Sequence, residues 1–114
     1  MLAEDLDVYK ETLNLASRLV KCYELMPRIH RYQIGATMCV TAINLLKLIT
    51  AANSDKELRK KYLLLFLREF SGIKACVVIC DENKLLPTKQ IANLTRSITS
   101  ISKQITAWKN TARM

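Results

Sequence analysis

Apolar residues recur every three or four positions in four separate stretches of this 114-residue chain, the period of an α-helix viewed from one side. Leu2, Leu6, Tyr9, Leu13, Ala16, Val20 and Tyr23 follow spacings of four and three without a break. Beside them runs a second seam of Val8, Leu15, Leu19, Cys22 and Met26, and two adjacent seams give the wide apolar face of a bundle helix. The pattern predicts a first helix from Ala3 to Glu24, its acidic first turn matched to the helix dipole and its end set by Pro27. A second helix is predicted from Arg31 to Ala52, with one seam at Ile34, Met38, Leu45, Leu48 and Ala52 and another at Cys39, Ala42, Leu46 and Ile49. Asn53 ends it. Ser54 with Glu57 reads as a capping box for a third helix that reaches Asp81 through Leu58, Tyr62, Leu65, Phe66, Phe70, Ile73, Val77 and Cys80. Gly72, inside that helix, is expected to mark a contact with a neighbouring helix. After a loop from Asp81 to Pro87, Thr88 would cap a fourth helix from Lys89 to Ala112, with Ile91, Leu94, Ile98, Ile101, Ile105 and Trp108 on one face.

Composition narrows the fold. Two glycines and two prolines cannot furnish the turns of an all-β domain, and a half-apolar chain of this length can bury a core. The expectation is therefore all-α: one domain over residues 1–114, folded as an antiparallel up-down-up-down four-helix bundle.

Catalytic chemistry finds little to work with. The single histidine, His30, lies beside Pro27 and forms no Glu-x-x-His pair for a di-iron site. Cys22, Cys39, Cys76 and Cys80 contain no Cys-x-x-Cys pair and read as small buried hydrophobes in a reducing compartment. No Gly-rich phosphate loop and no nucleophile–base pair can be assembled. The expectation is a non-enzyme without cofactor or metal. The N-terminal Met1-Leu2-Ala3-Glu4-Asp5 lacks a basic leader pattern, and the longest apolar runs, Tyr62–Leu67 and Ala75–Cys80, are six residues each, against about 20 for a membrane span. A cytoplasmic location without membrane attachment follows as an expectation.

Charge supplies the strongest functional cue. Lys and Arg number 18 against 10 Asp and Glu, a formal net charge of +8. From Asn83 to Met114 there are six basic residues and no acidic one. Lys89, Arg96 and Lys103 lie seven apart, so they share one stripe, and Lys109 and Arg113 continue the charge toward the C-terminal end. Hydroxyl groups from Thr95 to Thr106 fill the polar surface between, a mixture suited to phosphate. Three readings stay open: a nucleic-acid surface, a docking face for acidic residues such as Glu4, Asp5, Asp7 and Glu11 of another chain, or a solvated helix back. With only the tyrosines and Trp108 able to stack, base readout would be slight and affinity electrostatic.

The segment Pro27-Arg28-Ile29-His30-Arg31-Tyr32-Gln33-Ile34-Gly35 resembles the Pro-Arg/Lys-x-x-Arg-Tyr/Phe-x-Leu-Gly turn of the accessory variability determinant (Avd) proteins of diversity-generating retroelements. Leu67-Arg68, and Lys103 followed five residues later by Trp108, extend the resemblance over about Asp5 to Lys109. The four-helix proteins encoded in ribosomal RNA intervening sequences share a Pro-x-x-x-Arg-Tyr turn. Their Arg-x-Ala-x-Ser…Asn-Ile-Ala-Glu-Gly signature is absent here, where Met38 to Lys47 stands instead. Ser102 and Thr106 replace glycines that Avd proteins tend to carry. The resemblance implies a homopentameric barrel of four-helix protomers that associates with a reverse transcriptase and its template RNA, with DNA a further ligand, in error-prone cDNA synthesis. It places Arg28, Arg31 and Arg68 at motif positions, where contact with RNA and hydrogen bonding to the chain's own carbonyl or carboxylate groups are both open. Tyr32 and Gly35 read as structural. The alternatives are the intervening-sequence family and an assembly module that docks only onto protein.

Overall fold

The computed structural model describes residues 1–112, and among these there are four long helices and no strand. They are α1 (Asp7–Leu25), α2 (Arg28–Ser54), α3 (Arg59–Glu82) and α4 (Thr88–Thr111). Consecutive helices pack against each other and α4 closes on α1, giving the expected bundle order. The bundle measures 43 × 22 × 20 Å.

Each helix buries one seam with alternating spacings of three and four. On α4 it is the expected one, Ile91, Leu94, Ile98, Ile101 and Ile105, with Trp108 half-buried at the end. On α3 it begins at Leu63, not Leu58, which is exposed. On α1 the buried seam is the one read as secondary: Val8, Thr12, Leu15, Leu19, Cys22 and Met26. The unbroken seam lies at the rim, where Leu13 and Val20 are exposed. Thr12 obscures the true register because it is polar, yet its hydroxyl donates to the Val8 carbonyl at 2.7 Å and needs no water. On α2 the core residues are Gly35, Met38, Ala42, Leu45, Ile49 and Ala52, threading between the two expected seams. Val40 and Ile43 on its outer side are exposed.

The helix ends differ from expectation in ways the local chemistry explains. Residues Ala3–Asp5 form a separate 3₁₀ turn before α1. The α2 helix starts at Arg28, passes through a π-helical turn over Arg31–Gly35, and continues to Ser54. Ser54 is its last residue and caps nothing; its hydroxyl donates back to Ala51. Asp55 takes the capping role, its carboxylate accepting the backbone N–H groups of Glu57 (3.1 Å) and Leu58 (3.0 Å). Thr88 is the first residue of α4, follows Pro87 and makes no side-chain cap. The α3–α4 loop closes as a Schellman motif, with Leu85 N–H on the Cys80 carbonyl (2.8 Å), Lys84 N–H on that of Asp81 (3.2 Å), and Lys84 at φ 55°. Leu85 and Leu86 then seal that end of the core.

One helix exceeds what run lengths suggested. By length and composition α2 could cross a membrane, its most apolar 18 residues having a mean hydropathy of 1.6. Isolated polar residues such as Thr41 and Asn44 break the apolar runs without changing the average. In the bundle α2 contributes its seam to the core, while only 28% of those residues are buried. Its outer face is mixed, with Val40 and Ile43 among the apolar side chains that the protomer itself leaves uncovered.

The two glycines have opposite surroundings. A Cβ at Gly35 would meet the Tyr23 ring at 2.9 Å and the Met26 sulfur at 3.1 Å, so the close approach of α1 and α2 depends on its absence. Gly72 has nothing within 4 Å and is exposed, so no helix of the protomer explains it. Thermal denaturation should separate them: Gly72→Ala raises stability by about 0.5–1 kcal/mol, and Gly35→Ala lowers it.

Candidate nucleic-acid interface

The basic stripe on α4 owes its position to the isoleucine seam. At about 100° per residue, Lys89, Arg96 and Lys103 point away from the buried face, and all three are exposed. The Arg96 guanidinium donates to its neighbour Asn93, a neutral group, so its charge is not cancelled. From α3, Lys74 reaches over to the Ser102 hydroxyl at 3.3 Å and lies 5.3 Å from the Phe70 ring centre. It adds a cation next to Lys103 that sequence spacing on α4 alone could not find.

Two other expected residues are placed differently. Lys109 is half-buried near the end of α4, off the stripe. Arg113 lies outside the described residues. The expected stacking surface of Trp108 is also partly taken: the Arg59 guanidinium sits 5.5 Å over the ring centre. Arg59 also donates to the last α2 carbonyls, Ala52 at 2.7 Å and Asn53 at 3.1 Å. That residue ties α2, α3 and α4 together at one end.

The motif arginines separate into two roles. Arg28 is exposed in the first turn of α2. Arg31 is half-buried and donates to the carbonyls of Glu24 (3.1 Å) and Met26 (3.3 Å), the free acceptors at the C-terminal end of α1. Its guanidinium also lies 5.8 Å from the Tyr23 ring centre, and Tyr23 meets Tyr32 edge to face at 6.4 Å. The motif thus fixes the α1–α2 turn: Pro27 stops one helix, Arg31 caps it, and Gly35 admits Tyr23. Of the open roles for Arg31, hydrogen bonding to carbonyls is the one realised in the protomer. Arg68 is exposed on α3.

At the rim of the core, polar contacts join α1 and α4. Glu11 accepts Ser100 and Gln104, both at 2.8 Å, which removes it from the acids free to meet another chain, while Glu4, Asp5 and Asp7 stay exposed. Among the described residues no three or more His, Cys, Asp and Glu side chains group so that they could hold a metal ion. Burial pushes the thiols of Cys22, Cys39, Cys76 and Cys80 upward, Cys80 from 9.0 to about 11, with Cys76 and Cys22 adding to the effect.

The fold and this surface define a class: a four-helix bundle whose last helix turns an acid-free, cationic back to solvent. The chain belongs to the bAvd-like family, whose model matches residues 8–112. No curated protein matches it.

The thiols give a check on the core. A thiol that keeps its proton longer in the folded chain stabilises it fully below the ordinary value near 9, and that contribution is lost as the pH rises toward about 11. Denaturant midpoints should therefore fall between pH 9 and 11, and a Cys80→Ala variant should show less of that fall. Below pH 9 the native protein should react with a thiol reagent at Cys80 only as fast as it unfolds.

Proposed function

We propose that the chain is a non-catalytic accessory subunit of a diversity-generating-retroelement reverse transcriptase, binding the template RNA, and DNA in the same charge-driven manner, to support mutagenic cDNA synthesis. The observation that carries this reading is the solvent-facing stripe of Lys89, Arg96 and Lys103 on an acid-free helix, in a chain of the bAvd-like family. The three cations are spaced about 10.5 Å apart along the helix axis, so the stripe is about 21 Å long. A nucleic-acid backbone laid along it offers several phosphates per cation. Contact is then ionic and independent of sequence.

Charge reversal of all three residues (K89E, R96E and K103E together) tests this reading. The expected result is loss of binding to an RNA oligonucleotide with the oligomer unchanged in size-exclusion chromatography with light scattering. An oligomer that falls apart would favour the assembly module that docks only onto protein. For the unmodified protein, three neutralised phosphates correspond to a log–log salt slope of about −2 for a single strand and about −3 for a duplex. Binding that holds constant from 50 to 300 mM salt would overturn the electrostatic mechanism.

The homopentameric assembly draws support from a different face. Leu13, Val20, Val40 and Ile43 are each about half exposed or more on α1 and α2, and the second half of α2, from Ala36 to Ser54, has Lys47 as its one charged residue. An apolar surface of this kind marks a contact between proteins. A charge placed in it, Val40→Asp, should shift the protein to monomer in light scattering while helical content by circular dichroism stays unchanged.

A further inference from the structure

Arg18 sits on the flank of α1 that faces α4, four residues before Cys22 and seven after Glu11. The contacts on either side fix the register. The Cys22 thiol points to the Gln90 amide oxygen at 3.9 Å, and Glu11 holds Ser100 and Gln104. Arg18 is therefore level with the stretch of α4 between Gln90 and Ser100, whose polar residues are all neutral apart from the cation Arg96. The residue is half-buried, its Nε is shielded from solvent without a hydrogen-bond partner, and its charge reaches Cys22, whose thiol pKa it lowers against the effect of burial.

A guanidinium held this way normally has a carboxylate, because a buried donor left unpaired loses its hydration without compensation, the more so when it is charged. Among the described residues none is placed to pair with it. Glu11, the nearest acid on that flank, is about 10 Å along the helix and already accepts two hydrogen bonds, and α4 has no acidic residue at all. Arg31 Nε is likewise shielded and unpartnered, but that guanidinium is already held by two carbonyls, whereas an anion pairing with Arg18 would come from outside the protomer.

We infer that Arg18 is a phosphate-anchoring residue, taking a backbone phosphodiester into the groove between α1 and α4 beside the Lys89–Arg96–Lys103 stripe. This inference rests on the nucleic-acid reading above. A planar guanidinium can grip a phosphate through two parallel hydrogen bonds, where the stripe lysines act as point charges. Lys21, exposed one turn further along α1, lies on the same side of the groove and extends the charge. The stripe then attracts the polyanion, and Arg18 fixes where the strand lies.

The test measures binding of a single-stranded RNA homopolymer at 100 mM salt by the full-length protein carrying Arg18→Lys or Arg18→Gln. The Gln variant should bind about tenfold more weakly, with a salt slope shallower by just under one unit. The Lys variant should keep the slope while losing affinity, because charge remains and the paired hydrogen bonds do not. Without RNA, the thermal stability of Arg18→Gln should equal or exceed the parent's, because the unpaired donor is removed, and the oligomer size of both variants should match the parent. If Arg18→Gln binds like the parent while the triple stripe variant does not, the Arg18 inference is overturned and the stripe reading stands. If neither change affects binding, the nucleic-acid reading itself falls. If Arg18→Gln disperses the oligomer, its anion is a carboxylate of a neighbouring copy and the phosphate assignment is wrong.

Discussion

A bundle of four helices has one interior, so each helix can hide one seam and must present everything else outward. This constraint decides most of what the molecule shows on its surface. The fourth helix has a single apolar seam, and burying it sends Lys89, Arg96 and Lys103 to the back. The first and second helices have more apolar residues than one seam accommodates. Their surplus, including Leu13, Val20, Val40 and Ile43, is forced into view. Cationic and apolar faces thus arise from the same packing rule acting on different helices.

The interior was legible where polarity and burial agree. On α4 the seam from Ile91 to Ile105 is aliphatic and no large apolar side chain lies on the back, so spacing alone identified both the core and the stripe, though not the burial of Ser97. On α1 the agreement breaks at Thr12, whose hydroxyl is satisfied by its own helix and which packs as though it were apolar. A reading that scores threonine as polar prefers the parallel seam through Leu13 and Val20. On α2 apolar residues fall on more than one face, so periodicity does not single out one seam, and the buried set includes small residues such as Gly35 and Ala42 that let neighbours approach. The capping chemistry failed by one residue, because Asp55 outcompetes Ser54 for the free N–H groups of the turn.

The candidate site was half legible for a related reason. Charges that line up on one helix can be found by counting, and Lys89, Arg96 and Lys103 were. Charges whose significance depends on another helix cannot. Lys74 joins the stripe only because α3 packs beside α4, and Arg18 stands out only because the opposite flank of α4 lacks an acid. Arg31 shows the converse. Its motif position left RNA contact and carbonyl hydrogen bonding both open. The Glu24 and Met26 carbonyls at the end of α1 take two bonds from one of its terminal nitrogens, while its Nε stays without a partner.

The Arg59 clamp also sets how the bundle can be handled. It joins the α2–α3 turn to Trp108, and the Asn53 amide donates to the Met1 carbonyl at 3.0 Å, so both ends of the described chain gather at that turn. The Pro27 turn and the α3–α4 loop occupy the opposite end, about 36 Å away along a 24-residue helix. A linker fused before Met1 therefore emerges at one pole of the bundle, leaving the start of the cationic stripe at Lys89 and the motif turn unobstructed at the other. A short bridge between the two ends, with new termini cut in the α3–α4 loop, would preserve all four helices.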